Sequence, residues 1–241
     1  MIALQYSEFG EPADVVAPAE IPTPEPAAGQ TRLRMVRSPI HNHDLATIRG
    51  VYGAKPKLPA IPGSELLGIV DAIGDGSSAI KTGMRVACTT QGAWAEYTLA
   101  PTASLIPVPD AITDDLACQL IAMPMSALVL LGELQVSAGD WMVQNAANGA
   151  VGRILVREAT KRGINVIGLV RSEGTARQLR EFGAPHVVVT EGEWIKHVHE
   201  ITKGAPIVRA IDSVAGPHSM ELQRLLADRG ELIVFGGLAG Q

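Results

Sequence analysis

Several kinds of residue are scarce in this sequence, and each shortage excludes a class of protein. Only two of the 241 residues are cysteine, Cys88 and Cys118, and they lie far apart with no other ligands at metal-binding spacing. This usage argues against a disulfide framework and is typical of a reducing compartment, so we expect a cytoplasmic protein. Positive charge is not in excess either. The net charge of −5 offers no general attraction for nucleic acid or an anionic membrane.

Long apolar runs are also missing from the sequence. No stretch approaches the roughly 20 residues that a membrane-spanning helix needs. The first residues, Met1–Leu4, carry no basic charge and soon meet Glu8 and Glu11, which is unlike a secretory signal. The hydrophobic content of 46% is typical of a globular protein, and the length suffices for one large domain or two modest ones.

The most informative segment that is present begins with the apolar run Trp141–Asn145. This run ends in small residues spaced as in A-x-G-x-x-G, at Ala147, Gly149 and Gly152, and then enters a helix-forming stretch. The order of strand, tight turn and helix predicts a dinucleotide-binding βαβ unit. Small residues in such a turn let the backbone approach a pyrophosphate at the N-terminus of the helix.

The end of the next apolar strand, 164–170, indicates which dinucleotide binds. Enzymes specific for NAD usually place an acid there to bind the ribose 2′-hydroxyl, but here Arg171 and Ser172 come before Glu173. A guanidinium pairs with a 2′-phosphate, which a carboxylate would repel. We therefore expect NADPH, held by Arg171 with Ser172 beside it and Arg177 as a helper. The alternative is that Arg171 is an ordinary solvated loop residue.

The two halves of the chain predict different patterns of secondary structure. Residues 1–112 read as short strands separated by Gly, Pro and acidic turns, with one helix at about 42–49, which suggests a small β-barrel-like domain. From 113 to 241 helix and strand alternate, with Thr113 as the cap of the first helix, and this predicts a parallel sheet. Strands are expected at 31–37, 66–73, 84–90, 94–99, 141–145, 164–170, 186–189, 207–212 and 231–235.

Local motifs in both halves resemble those of one superfamily. The stretch Pro62–Glu65 is similar to its P-G-x-E turn, Gly83–Val86 to its G-D-R-V strand, and Gly92–Tyr97 to its G-x-x-A-E-Y segment. The chain thus resembles the medium-chain dehydrogenase/reductase superfamily. The resemblance implies an α/β fold, with a GroES-like, partly open β-barrel domain followed by a Rossmann doubly wound parallel sheet whose last strand is missing from the sequence.

Departures from the superfamily pattern argue against a metal. Zinc-dependent members carry G-H-E, whose His binds the catalytic zinc, whereas Ser64 stands at that position here. They also carry a Cys near the position of His41 and a four-cysteine lobe that this chain lacks. His41 and His43 could supply imidazoles, but no second cluster completes a tetrahedral ligand set. We expect no metal and no zinc.

The zinc-lacking branch that the chain most resembles is the mitochondrial type of enoyl thioester reductase. Those enzymes carry S-P-I-N-P-S-D and then a G-x-Y turn whose Tyr is their proposed proton donor, similar to Ser38–Asp44 and Tyr52 here. His41 replaces the family Asn, and we expect it in the cofactor pocket. The family loop N-A-x-N-x-x-V-G implies further cofactor contacts from Asn148, Gly149, Ala150 and Val151.

A tyrosine suits the implied reaction. Hydride addition to the β-carbon of an unsaturated thioester leaves an enolate, and a phenol with a pKa near ~10 can donate a proton to it. The resemblance therefore implies an NADPH-dependent reductase of a 2-enoyl thioester, with Tyr52 as catalytic residue rather than a loop aromatic that packs over a cleft. Two alternatives stay open, an NADPH:quinone oxidoreductase and a non-catalytic nucleotide-binding fragment.

Other candidate contacts have structural alternatives. Ser126 either lies near the nicotinamide or caps a helix, and Asp212 either lines the cofactor cleft or caps a loop. The segment Phe235-Gly236-Gly237 ends a strand where close approach to the nicotinamide would demand glycine.

Relatives continue for roughly eighty further residues, judged against usual domain sizes. We therefore favour a C-terminally truncated fragment over a natural short form that a partner chain covers. The last strand would then be an unpaired sheet edge. A homodimer is possible, although the edge strand through which relatives often dimerise is missing from the sequence.

Overall fold

The computed structural model of the protein describes residues 1–76 and 79–237. The chain forms two compact units, divided between Ala122 and Met123. The pattern of short strands in the sequence ends earlier, after residue 112, but residues 113–122 still belong to the first unit. Its residues Ala117, Cys118 and Ile121 pack against the strand residues Leu67 and Ala87 of that unit.

The first unit is built on a five-stranded antiparallel sheet in the order β6-β3-β4-β5-β7, with a separate β1-β2 hairpin. The strands are β1 Ile2–Gln5, β2 Ala17–Glu20, β3 Gln30–Arg37, β4 Glu65–Ile73, β5 Arg85–Thr89, β6 Tyr97–Pro101 and β7 Ile106–Pro107. Burial alternates along β3, where Thr31 and Leu33 face inward, as expected of a strand with one wet face. Predicted strands 31–37, 66–73 and 84–90 are confirmed.

The strand predicted at 94–99 begins later than expected. The backbone N–H groups of Ala93 and Trp94 donate to the carbonyls of Gly63 and Pro62 in a neighbouring loop, and the regular strand that pairs with β3 begins at Tyr97. The helices of this unit are α1 Pro12–Val15, α2 Asn42–Ile48 and α3 Asp114–Ala117. Thr113 lies at the N-cap of α3, but in the described structure its side chain makes no capping hydrogen bond.

The second unit is a five-stranded parallel sheet in the order β10-β9-β8-β11-β12. The strands are β8 Trp141–Gln144, β9 Asn165–Val170, β10 His186–Val189, β11 Ile207–Asp212 and β12 Leu226–Val234, and the helices are α4 Ala122–Glu133, α5 Ala150–Lys161, α6 Glu173–Glu181, α7 Trp194–Thr202 and α8 Pro217–Gln223. The strand order reverses between β8 and β11. In sheets of this kind ligands bind beyond the carboxyl ends of the strands at such a reversal.

The two predicted fold types are therefore confirmed, an antiparallel GroES-like sheet and a parallel Rossmann-like sheet. Strand β12 starts earlier than the predicted 231–235, because Leu226 already pairs with Ile207 before a register shift. Among the described strands β12 lies at an edge of its sheet. No helix of the described residues combines the length and apolar character needed to cross a membrane.

Candidate functional site

The turn between β8 and α5 in the second unit has the geometry of a phosphate loop. Ala146 adopts a positive φ of 47°, and Gly149 stands at the N-cap of α5. A Cβ on Gly152 would lie 2.7 Å from the carbonyl oxygen of Ala147, so only glycine lets the helix approach the strand this closely. Gln144 donates from Nε2 to the Gly152 carbonyl at 2.9 Å and closes the turn.

The N-terminus of α5 suits an anion. Within the described part of the chain no side chain caps this helix, so the N–H groups of its first turn at Ala150 and Val151 are not satisfied from within the protein by a capping group. These N–H groups and the helix dipole together favour a phosphate. The residues present therefore fit the pyrophosphate of a dinucleotide.

Two neighbours that the sequence analysis did not single out hold the side chain of Asn148. Arg153 donates from Nε to the carbonyl oxygen and to Oδ1 of Asn148, at 3.0 and 2.9 Å, and Asn148 Nδ2 donates to Gln178 Oε1 at 3.1 Å. The Arg153 guanidinium also lies 5.5 Å above the ring of Phe182. The signal that could have found them is adjacency, since Arg153 follows Gly152 and Gln178 follows Arg177.

Arg171, directly after β9, and Arg177, within α6, are both exposed, and neither forms an ion pair with another described residue. The nearby acid Glu173 is neutralised, because Arg180 donates to its carboxylate at 2.5 Å. Ser172 caps α6, its Oγ accepting a hydrogen bond from the Thr175 N–H at 3.3 Å. The carboxyl end of β9 therefore presents positive charge, as a 2′-phosphate would require.

Asp212, at the end of β11, is fully buried and organises the loop after it. Its Oδ1 accepts hydrogen bonds from Asn145 Nδ2 at 2.6 Å and from the N–H groups of Val214 and Ala215, while Ser219 Oγ donates to its Oδ2. Burial opposes the charged form, but these hydrogen bonds outweigh it and lower the pKa of Asp212. Within the second unit Asp212 therefore caps the loop that follows β11, which was one of its two expected roles.

Of the remaining candidates in this unit, Ser126 lies inside α4, four residues after the helix begins at Ala122, so it does not cap this helix and its place near the nicotinamide stays a prediction. The Phe235 N–H donates to the Asp212 carbonyl at 2.7 Å. A Cβ on Gly236 would lie 2.8 Å from the Ser213 carbonyl oxygen. Close packing against this backbone therefore requires glycine at position 236 even without a nicotinamide nearby. Around Gly237 there is open space among the described atoms.

In the first unit a buried carboxylate lies behind the predicted catalytic segment. Glu65, at the start of β4, is fully buried, and its Oε1 accepts hydrogen bonds from the N–H groups of Ile121 and Ala122, at 2.6 and 3.1 Å. Its Oε2 lies 2.9 Å from Nε2 of the buried His41. His41, predicted to face the cofactor, therefore has one ring nitrogen engaged with Glu65.

His43 connects this buried pair to Tyr52. Its Nε2 lies 2.6 Å from Ser64 Oγ, its ring stacks on His41 with centroids 5.0 Å apart, and the Tyr52 ring lies 5.9 Å away. Burial lowers the pKa of His43; Asp44 and Glu65 act in the opposite direction and His41 reinforces the lowering. From sequence alone His43 was only a possible imidazole ligand, and its place in α2, nine residues before Tyr52, was the missed signal.

The described residues do not fit a zinc ion. Among them no group of three or more His, Cys, Asp or Glu side chains is arranged to hold a metal. Ser64 occupies the position between Gly63 and Glu65 where a zinc site would need His. Zinc binds the thiolate form of cysteine, but burial raises the pKa of Cys88 to about 12 and also raises that of Cys118.

Comparison with known proteins matches each unit to a family. Residues 27–110 match the alcohol dehydrogenase GroES-like domain, and residues 150–241 match the family described as zinc-binding dehydrogenase. The rat mitochondrial enoyl-[acyl-carrier-protein] reductase is 32% identical over 247 aligned residues, which cover 99% of this chain and 66% of the rat protein. The chain thus spans just under two thirds of the length of that relative.

Solved structures agree with this assignment. A mycobacterial protein complexed with NADPH is 31% identical with a TM-score of 0.89, over 100% of this chain and 75% of the mycobacterial chain. The Escherichia coli quinone oxidoreductase complexed with NADPH is 25% identical with a TM-score of 0.90, over 100% of this chain and 74% of its own. The chain belongs to the medium-chain dehydrogenase/reductase superfamily. Within it, the chain is of the enoyl reductase and quinone oxidoreductase type.

Proposed function

We propose that this protein is an NADPH-dependent reductase that reduces the activated double bond of a 2-enoyl thioester. The observation that carries the proposal is a pair of cations, Arg171 and Arg177, that have no ion-pair partner among the described residues. They lie beyond a phosphate loop whose helix no described side chain caps. The likeness to an enoyl-[acyl-carrier-protein] reductase supports the thioester substrate, and NADPH bound to two structural neighbours supports the cofactor.

NADPH, when bound, supplies the hydride, and the protein's residues hold the cofactor and move the proton. The turn through Asn148, Gly149, Ala150 and Val151 holds the pyrophosphate, and Arg171 and Arg177 bind the 2′-phosphate with Ser172 beside them. Ser126, Asp212, the Phe235–Gly237 segment and His41 stay proposed cofactor contacts. Asp212 contributes indirectly, because it accepts hydrogen bonds that fix the loop after β11.

Tyr52 is the proposed proton donor. Hydride addition at the β-carbon leaves negative charge on the thioester enolate, and the phenol of Tyr52 donates a hydrogen bond to that oxyanion or a proton to the α-carbon. Tyr52 is 48% exposed, which leaves its hydroxyl accessible to a substrate. The ring of His43 lies against it.

A quinone oxidoreductase is the second candidate, because the E. coli neighbour has that name. A quinone takes up hydride at an oxygen or ring carbon and can be protonated by water, so its reduction does not depend on Tyr52. The third candidate, a non-catalytic nucleotide-binding fragment, would bind NADPH without turning over either substrate.

Replacing the cation at the end of β9 tests the cofactor. We expect Arg171→Ala to raise the Kd for NADPH roughly 10- to 100-fold, because a charge-assisted hydrogen bond contributes about 1.5–3 kcal/mol, and to leave NADH binding unchanged. Titration calorimetry measures both. Arg157→Ala, at an exposed position of α5, is the matched control and should leave both values unchanged. Equal losses for NADH and NADPH would contradict the assignment.

Removing the phenol hydroxyl tests the reaction. Tyr52→Phe should lower kcat for a 2-enoyl thioester by roughly 10²–10⁴-fold, the usual contribution of a positioned general acid. NADPH consumption with a quinone should hardly change. If the thioester rate is unaltered in this variant, Tyr52 is not the donor; if only quinones are reduced by the unaltered protein, the second candidate is correct.

We also propose a cytoplasmic location, from the cysteine usage, although the similar rat enzyme is named as mitochondrial. Cell fractionation with an antibody to the protein would test this location. Sedimentation velocity would test the possible homodimer.

A further inference from the structure

Three aromatic side chains of the first unit form a row that runs from the interior to the surface. His41, His43 and Tyr52 lie in this order, with ring centroids 5.0 Å and then 5.9 Å apart. Exposure rises along the row, from 8% for His41 to 27% for His43 and 48% for Tyr52. Glu65 closes the buried end through its 2.9 Å contact with His41.

Tyr52 is half exposed, and its ring lies beside that of His43. It lies in the loop after α2, where its backbone N–H donates to the Ala46 carbonyl at 3.2 Å. That hydrogen bond sets the path of the backbone but leaves the two side-chain torsions free. A half-exposed side chain exchanges between rotamers unless a neighbour selects one.

His43, in contrast, is held on two sides. Its Nε2 lies 2.6 Å from Ser64 Oγ, and its face stacks on His41, which Glu65 anchors. A ring with a fixed nitrogen and a fixed face cannot rotate away from Tyr52 without breaking these contacts. His43 therefore presents a stationary surface to the phenol ring.

We propose that His43 is a positioning residue for Tyr52, whose neutral imidazole selects the rotamer from which the phenol delivers its proton. This inference rests on the proposed function, because the proton delivery belongs to it. The contact between the two rings does not depend on any substrate.

The charges around His43 set the pH range of this arrangement. Asp44 Oδ1 lies 3.6 Å from its Nε2, His41 and Glu65 lie on its inner side, and Tyr52 lies on its outer side. Burial lowers the pKa of His43 from its ordinary value near 6.5, which favours the neutral ring at pH 7. Protonation below pH 6.5 places a charge on a partly buried ring next to another imidazole, and this disfavours the stack.

Two substitutions distinguish the effect of the flat ring of His43 from the effect of its protonation. His43→Ser removes the surface, and we expect kcat for the 2-enoyl thioester to fall roughly tenfold or more, as misplacement of a catalytic group does, with KM for NADPH within about twofold. His43→Phe keeps a flat ring that cannot be protonated. It should retain most of kcat and lose the decline in rate below pH 6.5. Unchanged kcat in His43→Ser, or equal losses in both variants, would overturn the inference.

A readout without turnover distinguishes this inference from the proposed function. In protein with ¹³C-labelled tyrosine rings, the Tyr52 signal, assigned with Tyr52→Phe, should shift as His43 titrates below pH 6.5. The shift should disappear in His43→Phe, while Tyr6 and Tyr97 serve as internal references. A Tyr52 signal insensitive to pH and to both substitutions refutes the positioning role. The expected NMR response without any enoyl reduction refutes the proposed function and leaves the ring contact standing.

Discussion

At the scale of single residues, Asp212 shows how one buried carboxylate can join several elements. It accepts hydrogen bonds from the Asn145 amide after β8, from the loop N–H groups of Val214 and Ala215, and from Ser219 in α8. A buried carboxylate is costly unless its oxygens are satisfied, and here four donors satisfy it. The carboxyl ends of β8 and β11 are thereby tied together where the strand order reverses.

Removing this carboxylate should destabilise the second unit. Asp212→Ala leaves the Asn145 amide and two backbone N–H groups without their acceptor, so we expect the free energy of unfolding to fall by about 3 kcal/mol or more. Urea denaturation at neutral pH measures it. Asp110→Ala is the control, because Asp110 is exposed and lies 4.0 Å from Arg85, so its loss should change stability by less than about 1 kcal/mol.

The effect should depend on pH in one direction. Because the folded state lowers the pKa of Asp212 below 3.8, its stabilisation is complete above pH 3.8 and is lost as the pH falls through the lower, folded-state value. The stability difference between the unaltered protein and Asp212→Ala should therefore shrink in acid. A difference that stays constant from pH 7 down to acid unfolding would show that the Asp212 charge contributes nothing.

At the scale of elements, the placement of α5 against β8 depends on Gly152. This glycine faces the backbone of Ala147 in the phosphate loop, where an added Cβ would meet three backbone atoms at 2.7–2.9 Å. Backbone atoms cannot move aside as a flexible side chain can. A larger residue would therefore push the start of α5 away from the strand, and the turn between them would open.

We expect Gly152→Ala to cost about 1–3 kcal/mol, as overpacking usually does, and to weaken NADPH binding through the displaced turn. Gly132→Ala in α4 is the control, since no described atom lies within 4 Å of a Cβ there and alanine favours a helix by up to about 1 kcal/mol over glycine. Thermal unfolding with and without NADPH measures both effects. If the two variants were equally stable, the close approach at Gly152 would not matter.

At the scale of the whole molecule, the chain consists of two units that each have their own sheet and core. The antiparallel unit buries residues such as Leu33, Leu66 and Val86, and the parallel unit buries two clusters around Met142 and Val143. Ligand binding is therefore expected to protect particular segments rather than the whole chain.

Hydrogen exchange should show this locality. Added NADPH should slow amide exchange at 145–152 and 171–178, the loop after β8 and the start of α6, because these segments hold the proposed phosphate contacts. The hairpin of β1 and β2 should exchange at the same rate with or without NADPH. Protection confined to the first unit, or spread evenly over the chain, would contradict the proposed cofactor site.

Much of the architecture follows from local sequence. Alternation of apolar residues predicted β3, and the apolar runs before and after the phosphate loop predicted β8 and β9. Periodicity does not specify where a strand begins to pair, so β6 and β12 start at positions that their partners decide. The sequence pattern also gives no sign that Ile121 and Ala122 donate hydrogen bonds to the distant Glu65 and so belong with the first unit.

The phosphate loop and the cations after β9 are sequence properties. Both depend on a few neighbouring residues whose backbone geometry and charge act over a single turn, so motif and spacing determine them. The partners that hold His41 and His43, and the contact of Asp212 with Asn145, were decided by tertiary structure. Ser64 and Glu65 lie close to His43 and His41 only because the start of β4 lies beside the start of α2, and Asp212 meets Asn145 only because β8 and β11 are neighbours in the sheet. Contacts between residues distant in sequence form only when the strands pair, and no local pattern encodes them.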